Sequence, residues 1–78
     1  MAIVRELCLR VLEKDSPHTE AECTYSIVEE SSGTKMLQID TYGSKHRRVP
    51  GKMSQSIRFS PEALKQLREI LRKHFEER

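Results

Sequence analysis

The apolar residues of this chain change period once, and that change limits the folds open to it. In the runs Cys23 to Ile27, Leu37 to Thr41 and Ile57 to Phe59 they recur at every second position; after Ser60 they recur mostly at every third or fourth. A period of two marks strands with one buried face, and a period near 3.6 marks a helix with one apolar stripe. The expected fold is α+β, with strands in the middle of the chain and a C-terminal amphipathic helix packed on one face of their sheet.

The helix start is the best specified point. Ser60 offers an N-cap hydroxyl, and Pro61 takes the first helical position, where no amide hydrogen is needed. Glu62 sets a carboxylate at the positive end of the helix dipole. Beyond it Leu64, Leu67, Leu71 and Phe75 fall on one stripe flanked by Ala63, Ile70 and His74, while Lys65, Arg68, Glu69, Arg72, Lys73 and Glu76 face away.

Upstream, Cys23, Tyr25 and Ile27 alternate with Thr24 and Ser26. Ser31-Ser32-Gly33 is a turn signal, after which Leu37, Ile39 and Thr41 alternate with Gln38, Asp40 and Tyr42, so the two runs are predicted to form a hairpin. A further strand is expected from about Met53 to Phe59. Met53, Ile57 and Phe59 point inward, Ser54, Ser56 and Arg58 point outward, and Gln55 breaks the pattern. The N-terminal segment fits two templates: Val4, Leu7, Cys8, Val11 and Leu12 have helical spacing, whereas Leu7, Leu9 and Val11 alternate. Asp15-Ser16-Pro17-His18 interrupts either one.

A chain of 78 residues is long enough for one hydrophobic core and too short for two, so residues 1–78 are expected to form a single domain. With 36% hydrophobic residues and no Trp, that core is modest, and self-association is expected to add burial. No run approaches the ~20 apolar residues of a membrane span, and no basic-then-apolar secretory pattern opens the chain. A soluble, cytoplasmic protein is expected, with nucleoid association among its settings and no membrane partner. Cys8 and Cys23 sit among apolar neighbours and are read as buried thiols, since a small secreted domain usually carries several bridges.

Local signals for catalysis are lacking. His18, His46 and His74 are widely spaced, neither cysteine belongs to a Cys-x-x-Cys arrangement, and no Gly-x-Ser-x-Gly motif occurs. Gly33, Gly43 and Gly51 are too dispersed for a phosphate-cradling loop. No metal, cofactor or small-molecule substrate is expected, and the protein is read as a binder and not an enzyme.

Charge points to the partner. Residues 1–40 carry four basic and eight acidic side chains, a net of −4, and residues 41–78 carry ten basic and four acidic, a net of +6. Between the second and third predicted strands of this region, Lys45, His46, Arg47, Arg48 and Lys52 supply five basic or titratable groups in eight positions. Such a run neutralises phosphates with release of counterions, although an ordinary solvated loop has the same composition. If the helix covers Cys23, Tyr25, Ile27, Leu37, Ile39, Ile57 and Phe59, the opposite face displays Thr24, Ser26, Gln38, Asp40, Tyr42, Ser54, Ser56 and Arg58. A polar platform with a stacking ring beside a cationic track is how single-stranded nucleic acid is held. Asp40 sets the opposing charge on that platform.

Three stretches, Leu37-Gln38-Ile39-Asp40-Thr41-Tyr42, Pro50-Gly51-Lys52, and Ser56 through Leu67, resemble the single-stranded-DNA-binding domain of the transcriptional coactivator positive cofactor four and its small bacterial relatives. The likeness spans about residues 22–71. It implies a curved antiparallel sheet of four strands, one following helix, a homodimer packed largely through the helices, and single strands bound across the sheet and its basic loops. Carried over by position, it implies phosphate contacts at Lys45, Arg47, Arg48, Lys52 and Arg58 and a stacking ring at Tyr42, and it favours a strand at the N-terminus. Ser56 stands where that family has a glycine, and Tyr42 is the nearest counterpart of its tryptophan.

The expected function is thus non-catalytic, largely sequence-independent binding of single-stranded nucleic acid, DNA ahead of RNA, in transcription or DNA maintenance. The alternative is a protein-interaction module that uses an exposed sheet edge or helix face.

Overall fold

The hairpin forms where the turn signal stands. In the computed structural model, which describes residues 1–43 and 53–76, β2 (Cys23–Glu29) and β3 (Lys35–Thr41) pair antiparallel with Ser26 opposite Gln38, and β1 (Ala2–Val4) precedes them. The turn closes through Gly33 N–H to the Glu30 carbonyl at 2.8 Å and Glu30 N–H to the Thr34 carbonyl at 2.9 Å. Gly33 adopts φ 89°, a left-handed value that costs a residue with a Cβ but not glycine.

The third predicted strand is β4 (Gln55–Phe59), which starts two residues later than expected and pairs antiparallel with β3, Arg58 opposite Gln38 and Ile57 opposite Ile39. β1 adds to the far side of β4, giving the order β1-β4-β3-β2 in an open sheet. The four strands and one C-terminal helix match the expected α+β architecture. One pairing differs from an all-antiparallel sheet, because β1 runs parallel to β4, with Ile3 opposite Arg58. Parallel neighbours require a long connection, and here the entire hairpin lies between them. Ser60 N–H extends this pairing to the Val4 carbonyl at 3.0 Å.

Neither template for the N-terminal segment holds past Val4: residues 5–22 form no helix or strand. The Gln66 side chain takes the Leu7 backbone instead, accepting from its N–H at 2.9 Å and donating to its carbonyl at 3.1 Å. Leu9, Val11 and Leu12 are exposed, so no apolar contact drives this stretch into a regular element.

The helix α1 (Pro61–His74) begins as its sequence specifies. The Ser60 hydroxyl accepts from Ala63 N–H at 3.2 Å, Glu62 lies in the first turn, and Arg72, Lys73 and His74 lie in the last, each complementing the helix dipole. Its first two turns meet the sheet, chiefly β3 and β4; Ala63 is fully buried and Leu64, Gln66 and Leu67 are half-buried. Met36, 1% exposed, is the other buried apolar side chain among the described residues. The core therefore sits at the Met36 end of the sheet, beside the helix start.

The register sorts the strand residues onto two faces as the alternation requires, but the covering differs from expectation. The apolar face stays open: Tyr25 is 75% exposed and Ile27 65%, and Ile57 is also exposed. On the other face Asp40 and Ser56 are buried and Gln38 and Arg58 half-buried. Met36 alternates onto the face of Gln38 and Asp40, so the buried side chains of the strands lie on that side and not beneath the apolar face. The same geometry corrects the reading of the cysteines as buried thiols. Cys8 lies in the irregular segment and Cys23 on the uncovered face of edge strand β2; both are free and exposed.

Candidate functional site

Two cross-strand rows build the polar face. Thr24, Asp40 and Ser56 form one, and Ser26, Gln38 and Arg58 form the next, on the strands β2, β3 and β4 respectively. Adjacent rows on one face bring their side chains within hydrogen-bond reach. Arg58 Nε donates to Gln38 Oε1 at 2.7 Å, and Gln38 Nε2 donates to both carboxylate oxygens of Asp40 at 3.1 Å. The amide thus has its oxygen on the cation and its nitrogen on the anion, which fixes its orientation.

Asp40 anchors the chain of bonds. The Ser56 hydroxyl, then the Gln38 amide and the Arg58 charge, hold its carboxyl below the ordinary carboxylate value, against the opposing effect of burial. An ionised, bonded Asp40 offsets the charge of Arg58 within the same cluster. Arg58, expected as a phosphate contact, is therefore half-buried and shares its guanidinium with the sheet's own network.

Tyr42 continues β3 on this side. Its N–H bonds the Glu22 carbonyl at 3.0 Å, and its hydroxyl lies 2.9 Å from Thr24 Oγ1. The ring is half-buried and held at its tip, so it presents a fixed surface near the Thr41 end of the sheet. Lys45, Arg47, Arg48 and Lys52 lie outside the described residues. The stretch that contains them leaves β3 and enters β4 at one end of two neighbouring strands, where Thr41 faces Gln55 and Ser54 N–H bonds the Thr41 carbonyl at 2.7 Å. Tyr42 and that junction share the sheet end, while Arg58 sits farther along β4.

Between Arg58 and the β1 edge lies a concavity of about 420 Å³, floored by Gln38, Ser56 and Arg58 and walled in part by Ile3 and Met53. The sequence pattern assigns Met53 to the apolar face; outside the strand it is free of that alternation and turns to the polar side. Ile3 was unreadable in this role because only the parallel pairing of β1 sets it opposite Arg58.

The second surface the sequence did not single out is apolar. In addition to Tyr25 and Ile27 on the sheet, Leu71 in the last turns of α1 and Phe75 at its C-cap are exposed, and a groove of about 810 Å³ follows Leu64, Leu67, Leu71 and Phe75. Its signal was present in the two separate apolar stripes, helix and sheet, both of which are partly bare. Among the described residues no three His, Cys, Asp or Glu side chains gather to hold a metal ion, and no helix is long and apolar enough to cross a membrane. Comparison of the chain with protein-family models, with curated proteins and with solved structures found no match in any of the three.

Proposed function

We propose that this protein is a non-catalytic binder of single-stranded nucleic acid, DNA ahead of RNA, that works as a homodimer. The observation that carries the reading is the junction of β3 and β4. The most basic run of the sequence, Lys45 to Lys52, is tethered there at both ends, at the sheet end where Tyr42 stands. Sequence-independent affinity for a single strand comes from such a cationic run acting with a ring on which bases stack. The resemblance to the positive cofactor four domain agrees with this reading, and the net of −4 over residues 1–40 directs a polyanion to the second half of the chain.

The exposed apolar surfaces support the dimer reading. Tyr25, Ile27, Leu71 and Phe75 are exposed on a chain whose buried apolar side chains, among those described, are Met36 and Ala63. Exposed apolar patches mark interaction sites, and a second copy offers a self-complementary cover. A different polypeptide on the same surface is the competing reading.

The test is a titration of a labelled oligodeoxythymidylate strand at several salt concentrations. Affinity is expected to fall with salt. In the combined variant Lys45→Gln, Arg47→Gln, Arg48→Gln and Lys52→Gln, the log–log slope is expected to shrink by roughly 0.7 for each group that contacts phosphate. Unchanged affinity and slope in that variant would refute the proposal and favour the polypeptide-binding module, whose affinity does not depend on these charges.

A further inference from the structure

The concavity beside Arg58 has a chemistry of its own. We infer that it is a base-reading subsite, in which the Arg58 guanidinium takes the acceptor edge of a guanine from the bound strand; this rests on the single-strand reading above. Arg58 spends Nε on Gln38. Its two terminal amino groups make no hydrogen bond among the described residues, and Arg58 lines the space walled by Ile3 and Met53.

Three features select a base over a phosphate. Asp40, linked to Arg58 through Gln38, sets an opposing charge beside it and weakens the attraction that Arg58 exerts on a distant anion. The walls are apolar, which suits the faces of a heterocycle and penalises a charged phosphate. The volume, about 420 Å³, falls toward the small end of ligand sites, which span roughly 300–1,000 Å³.

Guanine is favoured among bases because its O6 and N7 are adjacent acceptors that accept two parallel bonds from a guanidinium. Adenine sets a donor beside N7, which faces the amino groups of Arg58 with a like partner. Asp40 and Gln38 hold the guanidinium in place before the base arrives, so little rotamer freedom is lost on binding. Lysine in its place keeps the charge but has no fork.

The experiment uses fluorescence anisotropy with the intact protein and oligodeoxythymidylate strands that carry dG, dA, dC or 7-deaza-dG at one central position. The dG strand is expected to bind roughly tenfold more tightly than the dA strand. The 7-deaza strand, which stacks similarly but lacks N7, is expected to lose most of that advantage. Arg58→Lys is expected to abolish the preference while leaving the salt slope unchanged.

Equal affinity for all four strands overturns the subsite and leaves the single-strand function standing. A 7-deaza strand that binds as tightly as dG assigns the preference to stacking and also overturns it, as does a preference for dC. If Arg58→Gln lowers the salt slope by roughly 0.7 without altering base preference, Arg58 is a phosphate contact. No salt-dependent binding to any strand removes both proposals. The modified-base comparison needs no variant, so it holds whether or not substitutions at Arg58 fold.

Discussion

Ile27 provides the sharpest test of the dimer. It lies on edge strand β2 and is 65% exposed in the single chain. Fully burying such a side chain contributes about 1.5–3 kcal/mol, so covering the part still exposed is worth about 1–2 kcal/mol per copy. Ile27→Thr keeps the β-branch and the strand propensity. It removes apolar carbon and adds a hydroxyl that must be desolvated, and so forfeits most of that contribution. A two-fold interface contains the position twice. The expected loss is about 2–4 kcal/mol of association, which raises the dimer Kd roughly 30-fold to 1,000-fold. Sedimentation equilibrium over a range of concentrations reads this directly, and the thermal midpoint of the wild type should rise with protein concentration. If Ile27 instead faces water in the working protein, the substitution changes stability by no more than about 0.5 kcal/mol and does so at every concentration. A monomeric wild type with a concentration-independent midpoint, or a variant that dimerises as tightly as its parent, would refute the reasoning.

Other expectations concern single features. Ser60→Ala removes the acceptor for Ala63 N–H in a buried cap and is expected to cost about 1 kcal/mol in urea unfolding, with no change in base preference. Gly33→Ala is expected to cost about 1 kcal/mol from backbone strain alone, because no atom lies within 4 Å of the added Cβ; Gly33→Asn should cost less. Asp40 titrates lower when folded than when unfolded. Its contribution is present above the ordinary value of 3.8 and is lost as pH falls from there through the lowered folded value, so the fall of stability across that window should be less steep in Asp40→Asn. If the proposed dimer packs through the face of Tyr25 and Ile27, thiol labelling separates the cysteines: Cys8 should react at every concentration, whereas Cys23, on that face, should react quickly only after dilution to monomer.

Much of the site was legible because its signals are local. Thr24, Gln38, Asp40, Ser56 and Arg58 alternate away from the apolar residues, and the structure gathers all five onto one face. What the alternation did not carry was the pairing between Gln38 and Arg58, which fixes the guanidinium, or the neutralising role of Asp40. Those depend on which residues stand opposite one another across β3 and β4. Met53 and Ile3 were illegible for a related reason: their position beside Arg58 follows from the end of one strand and the parallel addition of another.

The sequence alone determined the elements whose causes lie within a few residues. The cap at Ser60-Pro61, the turn at Gly33 and the two apolar periods each specify a local conformation, and all three appear where the residues require. The tertiary structure decided what covers each face, because that depends on where a 14-residue helix leaves the sheet and how far it remains in contact. Met36, Asp40 and Ser56 are buried on one face, while Tyr25, Ile27 and Cys23 remain in the open on the other. Periodicity fixes which side chains share a face, and only the packing of distant segments fixes whether that face meets protein or water.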